Sequence, residues 1–140
     1  MKDLRLAERR LKEKKFNLLI VKDGNIIFAT KSQGIRGLLQ AIEKLGNQLI
    51  GSSVADNIVG CAAAMLCAYF NASSVFAVTI SEEGEKMLKE NEISYQFENR
   101  VPNILNYERT DICPFEKHVM GLTKPEEAYE KLKSFTDSQN

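Results

Sequence analysis

Apolar positions along the 140-residue chain change their period several times, and each change marks an element. Leu4, Ala7 and Leu11 share one helical face and predict an amphipathic helix over residues 3–14. "FNLLIVK" (16–22) is apolar on both faces apart from Asn17, as a buried strand requires. "DGN" (23–25) turns the chain and "IIFAT" (26–30) returns as the second arm of a hairpin. Ile35, Leu38, Leu39, Ile42 and Leu45 restore helical spacing, and Gly46 ends that helix.

The stretch "SSVADNIVGCAAAMLC" (52–67) is small and greasy, with one acid and two thiols. Ser53 and Asp56 have the S-x-x-D spacing of a capping box, which predicts a helix beginning at Ser53 and running to residue 70. From 58 to 70 that helix is apolar all round, so it should be enclosed on several sides. "SSVFAVTI" (73–80) reads as a strand. Ser81 can cap a helix over 82–91, whose first turn carries Glu82 and Glu83 as the helix dipole favours. "ISYQF" (93–97) alternates as a half-buried strand, and Pro102 puts 101–106 at a sheet edge or in a loop. Pro114 suits the first position of another helix, with Cys113 at its N-cap. Thr123 and Glu126 suggest a second capping box, opening a helix that turns Ala128, Leu132 and Phe135 inward. The expected order is α-β-β-α-α-β-α-β-α-α. It forms one α/β domain over residues 1–140, with a mixed sheet and helices on both faces.

Composition narrows the setting. Net charge is zero, but residues 1–80 carry +5 and residues 81–140 carry −5. Much of the positive excess lies in "RLAERRLKEKK", which reads as a solvated helix face. No aromatic interleaves it, so nucleic acid is not the expected partner. Residues 58–70 are too short to span a bilayer, and the charged N-terminus has no apolar stretch of a signal peptide, so no membrane partner is expected. Three cysteines without C-x-x-C spacing suit a reducing cytoplasm.

Candidate chemistry gathers at helix N-termini, where free backbone N–H groups can hold anions and where open α/β sheets bind ligands. Asp56 reads as a capping carboxylate that can also face a ligand. Cys113 is a thiol at a helix start, a position that favours the thiolate, but Asp111 and Glu116 nearby oppose that bias. Cys61 and Cys67 read as packing residues, and the single histidine, His118, as a surface or packing residue. The candidate catalytic residues are therefore Asp56, Cys113 and Glu116, and the candidate ligand-binding residues Ser53, Asn57 and Ser81. One His and three scattered Cys are a poor source of zinc ligands, so no metal and no other cofactor is expected. The phosphate-loop, dinucleotide, nucleophile-elbow and HExxH motifs are also missing.

"ADNIVGCAAAML", "RVPNILNYERTDICPFEKHVM" and "KPEEAYEKL" together resemble a small prokaryotic family of unknown function in the cytidine deaminase-like superfamily. The most specific pieces are the Asp-x-x-x-Gly-x-Ala-Ala-Ala run and the Cys-Pro-x-Glu turn. The resemblance implies a three-layer α/β/α fold, with the helix at 35–45 as an addition. Zinc deaminases carry H-x-E or C-x-E at one helix start and P-C-x-x-C at the next. Here "VADN" and "ISEEG" stand at the expected starts, so zinc-dependent deamination is not expected. Asp56, Cys113 and Glu116 keep the family's motif residues. Asn57 and Cys61 depart from it, at positions where basic residues are common.

Three readings follow. The first is a module binding a nucleotide-like or other anionic small molecule. The second is a non-zinc enzyme using Cys113 with Asp56 or Glu116. The third is a structural or partner-binding module, such as a homodimer, with which the charge split is compatible.

Overall fold

Strand β1 (Leu18–Lys22) is the first element buried on both faces, and the reason is its place in the sheet. The computed structural model describes residues 2–139. In it, β1 pairs antiparallel with β2 (Asn25–Thr30) through a two-residue turn, where Asp23 and Gly24 both take positive φ. On its other side β1 pairs antiparallel with β3 (Ser53–Val59). Strands β4 (Ser74–Ser81) and β5 (Ser94–Val101) extend the sheet in parallel, giving the order β2-β1-β3-β4-β5.

The central strand β3 corrects the sequence reading. No helix begins at Ser53, and Ser53 and Asp56 form no capping box. Ser53–Val59 is a strand, and the apolar run splits at Gly60 into strand and helix α3 (Cys61–Tyr69). The S-x-x-D spacing is a local signal worth about 1 kcal/mol. Against it stand two full ladders of sheet pairing, with β1 and β4, and burial of Val54 and Ala55 on opposite faces. Tertiary pairing overrides such weak local preference. A second expected cap also fails. Helix α6 (Pro125–Ser138) starts after Lys124, with no side-chain cap from Thr123.

The other expected elements are present. Helix α1 (Lys2–Lys14) turns Leu4, Ala7 and Leu11 inward, and α2 (Ile35–Leu45) runs to Gly46 and a 3-10 turn over Gly46–Leu49. The Ser81 hydroxyl accepts from Gly84 N at 3.0 Å and caps α4 (Glu82–Glu90). Cys113 and Pro114 open the short α5 (Pro114–Val119). Strand β5 runs on to Val101, four residues past the expected end.

Parallel crossovers that step one way across a sheet put successive helices on one face. Helices α3 and α4 accordingly share one core cluster, together with residues of α2 and α6. The other face has a separate cluster, in which Leu4, Ala7 and Leu11 of α1 cover Leu19, Val21, Ala55 and Phe76. The architecture is thus α/β/α with a mixed sheet, one outer layer being α1 alone. Helix α3 is buried all round its first two turns, as its pattern predicted. Tyr69 at its end stacks on Tyr129 of α6 at 4.4 Å. Among the described residues, no helix is long and apolar enough to cross a membrane.

Since α1 is the helix whose residues form that second cluster with the sheet, Leu11→Ala should cost about 3 kcal/mol of unfolding free energy. Urea titration checks this; a loss below about 1 kcal/mol would mean that α1 is not docked on the sheet.

Candidate functional site

The connection from β3 to α3 is the single residue Gly60. The first N–H groups of a helix have no partners within it. Gly60 has no side chain to offer them, and the acceptor comes instead from α5. Glu116 Oε1 accepts from Cys61 N and Oε2 from Ala62 N, each at 2.7 Å. A carboxylate on a helix N-terminus is also favoured by the helix dipole. Only glycine leaves room for it. A Cβ at position 60 would lie 2.2 Å from Glu116 Oε1 and 2.8 Å from Ile104 Cγ1. Gly84 makes a matching approach from the first turn of α4, where a Cβ would lie 2.6 Å from the Val59 carbonyl oxygen. These two glycines bring the N-termini of α3 and α4 together at the carboxyl ends of β3 and β4.

Beside this junction lies a cleft of about 390 Å³. Cys61, Ser81, Glu83, Lys86 and Met87 form its helix side, and residues between 102 and 123 form the rest, including Ile104, Ile112, Glu116 and Leu122. The walls are mainly apolar. The charged lining groups are Glu83, Glu116 and Lys86, a formal excess of one negative charge. Burial pushes the Glu116 carboxyl above its usual range; the two amide bonds oppose that shift, and the charge of Glu83 adds to it. The Cys61 thiol is pushed up to about 12, first by burial and then by Glu116 and Glu83. Burial and the two carboxylates thus oppose the helix start, which would normally favour the thiolate.

Of the candidate residues, Ser81 and Glu116 line the cleft. Ser53 lies at the far end of β3, roughly 20 Å of extended chain away, with its hydroxyl bonded to Ser74 Oγ at 2.8 Å. Asn57 is tied to Asn17, through its side chain and through Asn57 N to Asn17 O at 3.1 Å. Cys113 is half-buried at the N-cap of α5, its N–H donating to Ile104 O at 2.9 Å. Neither Cys113 nor Asp56 is among the residues lining the cleft. His118 is exposed and lies against the Phe135 ring at 4.0 Å.

Asp56 is instead a buried carboxyl on the sheet. It alternates with Ala55 of the α1 face, and it sits level with Leu18 and Ala77 of the opposite core. Burial first, and the Asp56 charge second, push up the Cys67 thiol of α3. Burial pushes Asp56 up to about 7, with only backbone bonds from Ile58 and Asn57 opposing the shift.

Sequence reasoning missed Cys61, Glu83, Lys86 and Met87 as cleft residues, along with the 102–123 wall apart from Glu116. One signal was available. Gly is an accepted N-cap residue, and Gly60 stands directly before the alanine run.

Two comparisons with known proteins bear on this arrangement. The sequence matches the model of a domain of unknown function, DUF1893, over residues 6–136. The chain belongs to the DUF1893 family. The crystal structure of a DUF1893 family protein (TM1506) from Thermotoga maritima is similar with a TM-score of 0.87 and 30% identity, over 96% of this chain and 90% of that one. RibD from Acinetobacter baumannii is similar with a TM-score of 0.52 and 16% identity, over 69% of this chain and 35% of that one. This second likeness is one of fold, and the family's fold here is cytidine deaminase-like. No curated protein matches the sequence.

That fold raises the question of zinc. With α3 starting at Cys61, the motif position reads Cys-Ala-Ala, which has a thiol but no glutamate two residues on. At α4 the chain reads Ser-Glu-Glu-Gly, without cysteine. Glu116 is committed to two amides, and Cys61 holds its proton. Among the described residues no group of three or more His, Cys, Asp or Glu side chains could hold a metal ion. The residues at these helix starts do not fit the zinc set.

The Asp56 carboxyl has a definite consequence for stability. Its folded pKa of about 7 lies above the unfolded value of 3.8, so the native state binds the extra proton. Stability linked to this group is fully present below about pH 4 and is lost as pH rises through 7. The loss is on the order of 4 kcal/mol. Asp56→Asn should therefore melt higher than the native protein at pH 8 and not at pH 4. Parallel melting curves across that range would contradict the assignment of Asp56 as a buried, uncompensated acid.

Proposed function

We propose that this protein is a small-molecule binding module, with a nucleotide-like ligand seated in the cleft beside the α3 and α4 N-termini. The observation that carries the reading is a mainly apolar cleft at the carboxyl ends of β3 and β4, with a few polar groups converging on it. The electrostatics refine the ligand. The α3 amides already hold the Glu116 carboxylate, and Glu82 and Glu83 crowd the first turn of α4. A phosphate would have to displace one carboxylate and approach others. The cleft therefore suits the uncharged base and sugar of such a ligand, with any phosphate turned toward solvent. The same geometry weakens the reading of Cys113 as a nucleophile paired with Asp56 or Glu116, because neither Cys113 nor Asp56 lines the cleft and both Glu116 oxygens accept from backbone amides.

The test is thermal unfolding against nucleobases, nucleosides and nucleotides. A ligand at ten times its Kd adds about 1.4 kcal/mol, or roughly 5 °C for a chain of this size. A nucleoside should give this shift, and the matching nucleotide no more. Thr123→Trp, at an exposed position of the cleft wall, should abolish the shift while leaving the unliganded midpoint within about 1 °C. If no compound of the panel raises the midpoint at millimolar concentration, the binding reading fails.

A further inference from the structure

Two features beside the cleft attract anions: the Lys86 side chain and the first amides of α3, at Cys61 and Ala62. An ordinary cap satisfies such amides with a neutral hydroxyl. Helix α4 is capped that way, by Ser81. Helix α3 is not. Position 60, where serine or asparagine commonly stands, is glycine, and the acceptor is a carboxylate from another helix. Both Glu116 oxygens are engaged, each at 2.7 Å, so neither amide is left for a second anion. The seat has no spare room, since a Cβ at position 60 would lie 2.2 Å from Glu116 Oε1 and 2.6 Å from its Cδ.

Glu116 is also a fixed occupant. Val119 of the same helix is fully buried, and Phe115 and Leu122 pack on the main core. Phe115 and His118 meet Phe135 of α6 at 5.4 and 4.0 Å. An entering anion could take the amides only by displacing a side chain that this packing holds in place. The neighbouring charges act in the same direction. Glu83 lines the cleft and Glu82 stands beside it on α4, against the single cation Lys86.

We infer that Glu116 is a specificity-determining residue: by occupying the α3 amides it bars phosphates and other anions from the one helix start beside the cleft that would otherwise receive them, and so selects for ligands whose bound part is uncharged. The inference deepens the proposed function and rests on the cleft being a ligand site. Selection of this kind works by blocking the wrong ligand rather than by attracting the right one. A phosphate meets a carboxylate at the place where a helix start would normally bind it, whereas a neutral group loses nothing.

Inorganic phosphate is the probe, compared with chloride at equal ionic strength, and thermal unfolding is the readout. The native midpoint should stay within about 1 °C. Glu116→Ala empties the seat and frees both amides. Phosphate at ten times its Kd should then raise that variant's midpoint by roughly 5 °C. Glu116→Gln removes the charge but keeps the seat filled, so its midpoint should stay within about 1 °C of its value in chloride. A folded alanine variant that phosphate does not stabilise would overturn the inference. Equal stabilisation of the alanine and glutamine variants would do so too, because net charge alone would then set the selectivity. Should Glu116→Ala fail to fold, the amide resonances of Cys61 and Ala62 decide in the native protein. Resonances that phosphate leaves in place support the block, and a saturable shift rejects it. The probe is phosphate and not a nucleoside, so the two readings fail separately. A nucleoside panel without effect sinks the ligand reading alone, and a failed phosphate test leaves nucleoside binding untouched.

Discussion

The structure turns on how a buried strand passes into a buried helix at Gly60. Strand β3 is the centre of the sheet and α3 is enclosed by other elements, so the connection between them has neither room nor solvent. The amides that begin α3 still need an acceptor. A side chain at position 60 could have supplied one, but Gly60 leaves the space open, and Glu116 fills it from 55 and 54 residues further along the chain. One glycine and one distant carboxylate thus complete the helix, tie α5 to the core and close one side of the cleft. Gly84 belongs to the same constraint, since the α4 N-terminus approaches the Val59 carbonyl too closely for any side chain.

Chemistry at this junction follows from the same arrangement. A helix start normally lowers a thiol's pKa, and Cys61 occupies one. Burial together with two nearby carboxylates reverses the effect. The fold that carries zinc in deaminases therefore presents here a protonated thiol and an occupied pair of amides. The cleft remains, and the proposed role for it is binding rather than attack. Asp56, the acid that stood out in the sequence, belongs to the interior of the sheet, where it lowers stability at neutral pH through burial.

Much of the fold was legible from periodicity. The α1 face, the hairpin, α2, β4 and the Ser81 cap all follow from patterns that a single element expresses by itself. The resemblance carried by the Asp-x-x-x-Gly-x-Ala-Ala-Ala run and the Cys-Pro-x-Glu turn reached the right fold even though β3 had been read as helix. That misreading has a physical source. Ser53–Asp56 is buried on both faces with small residues among them, so it shows no alternation, and the strand runs into α3 with one glycine as the only break. The Thr123 cap failed for a related reason: a capping pattern is a weak local preference, and chain entry at Lys124–Pro125 decided the start of α6.

By itself, the sequence determined which segments could be amphipathic, where turns need positive φ, and that Glu116 and Ser81 belong to helix starts. These are properties of neighbouring residues, and local sterics and spacing are enough to express them. Only the tertiary structure decided that Asp56 lies in a sheet, that Cys113 stays outside the cleft, and that Glu116 serves the N-terminus of a different helix from its own. Those facts depend on which strands pair and which helix ends meet. Such contacts join positions tens of residues apart, where no periodicity along the chain records them.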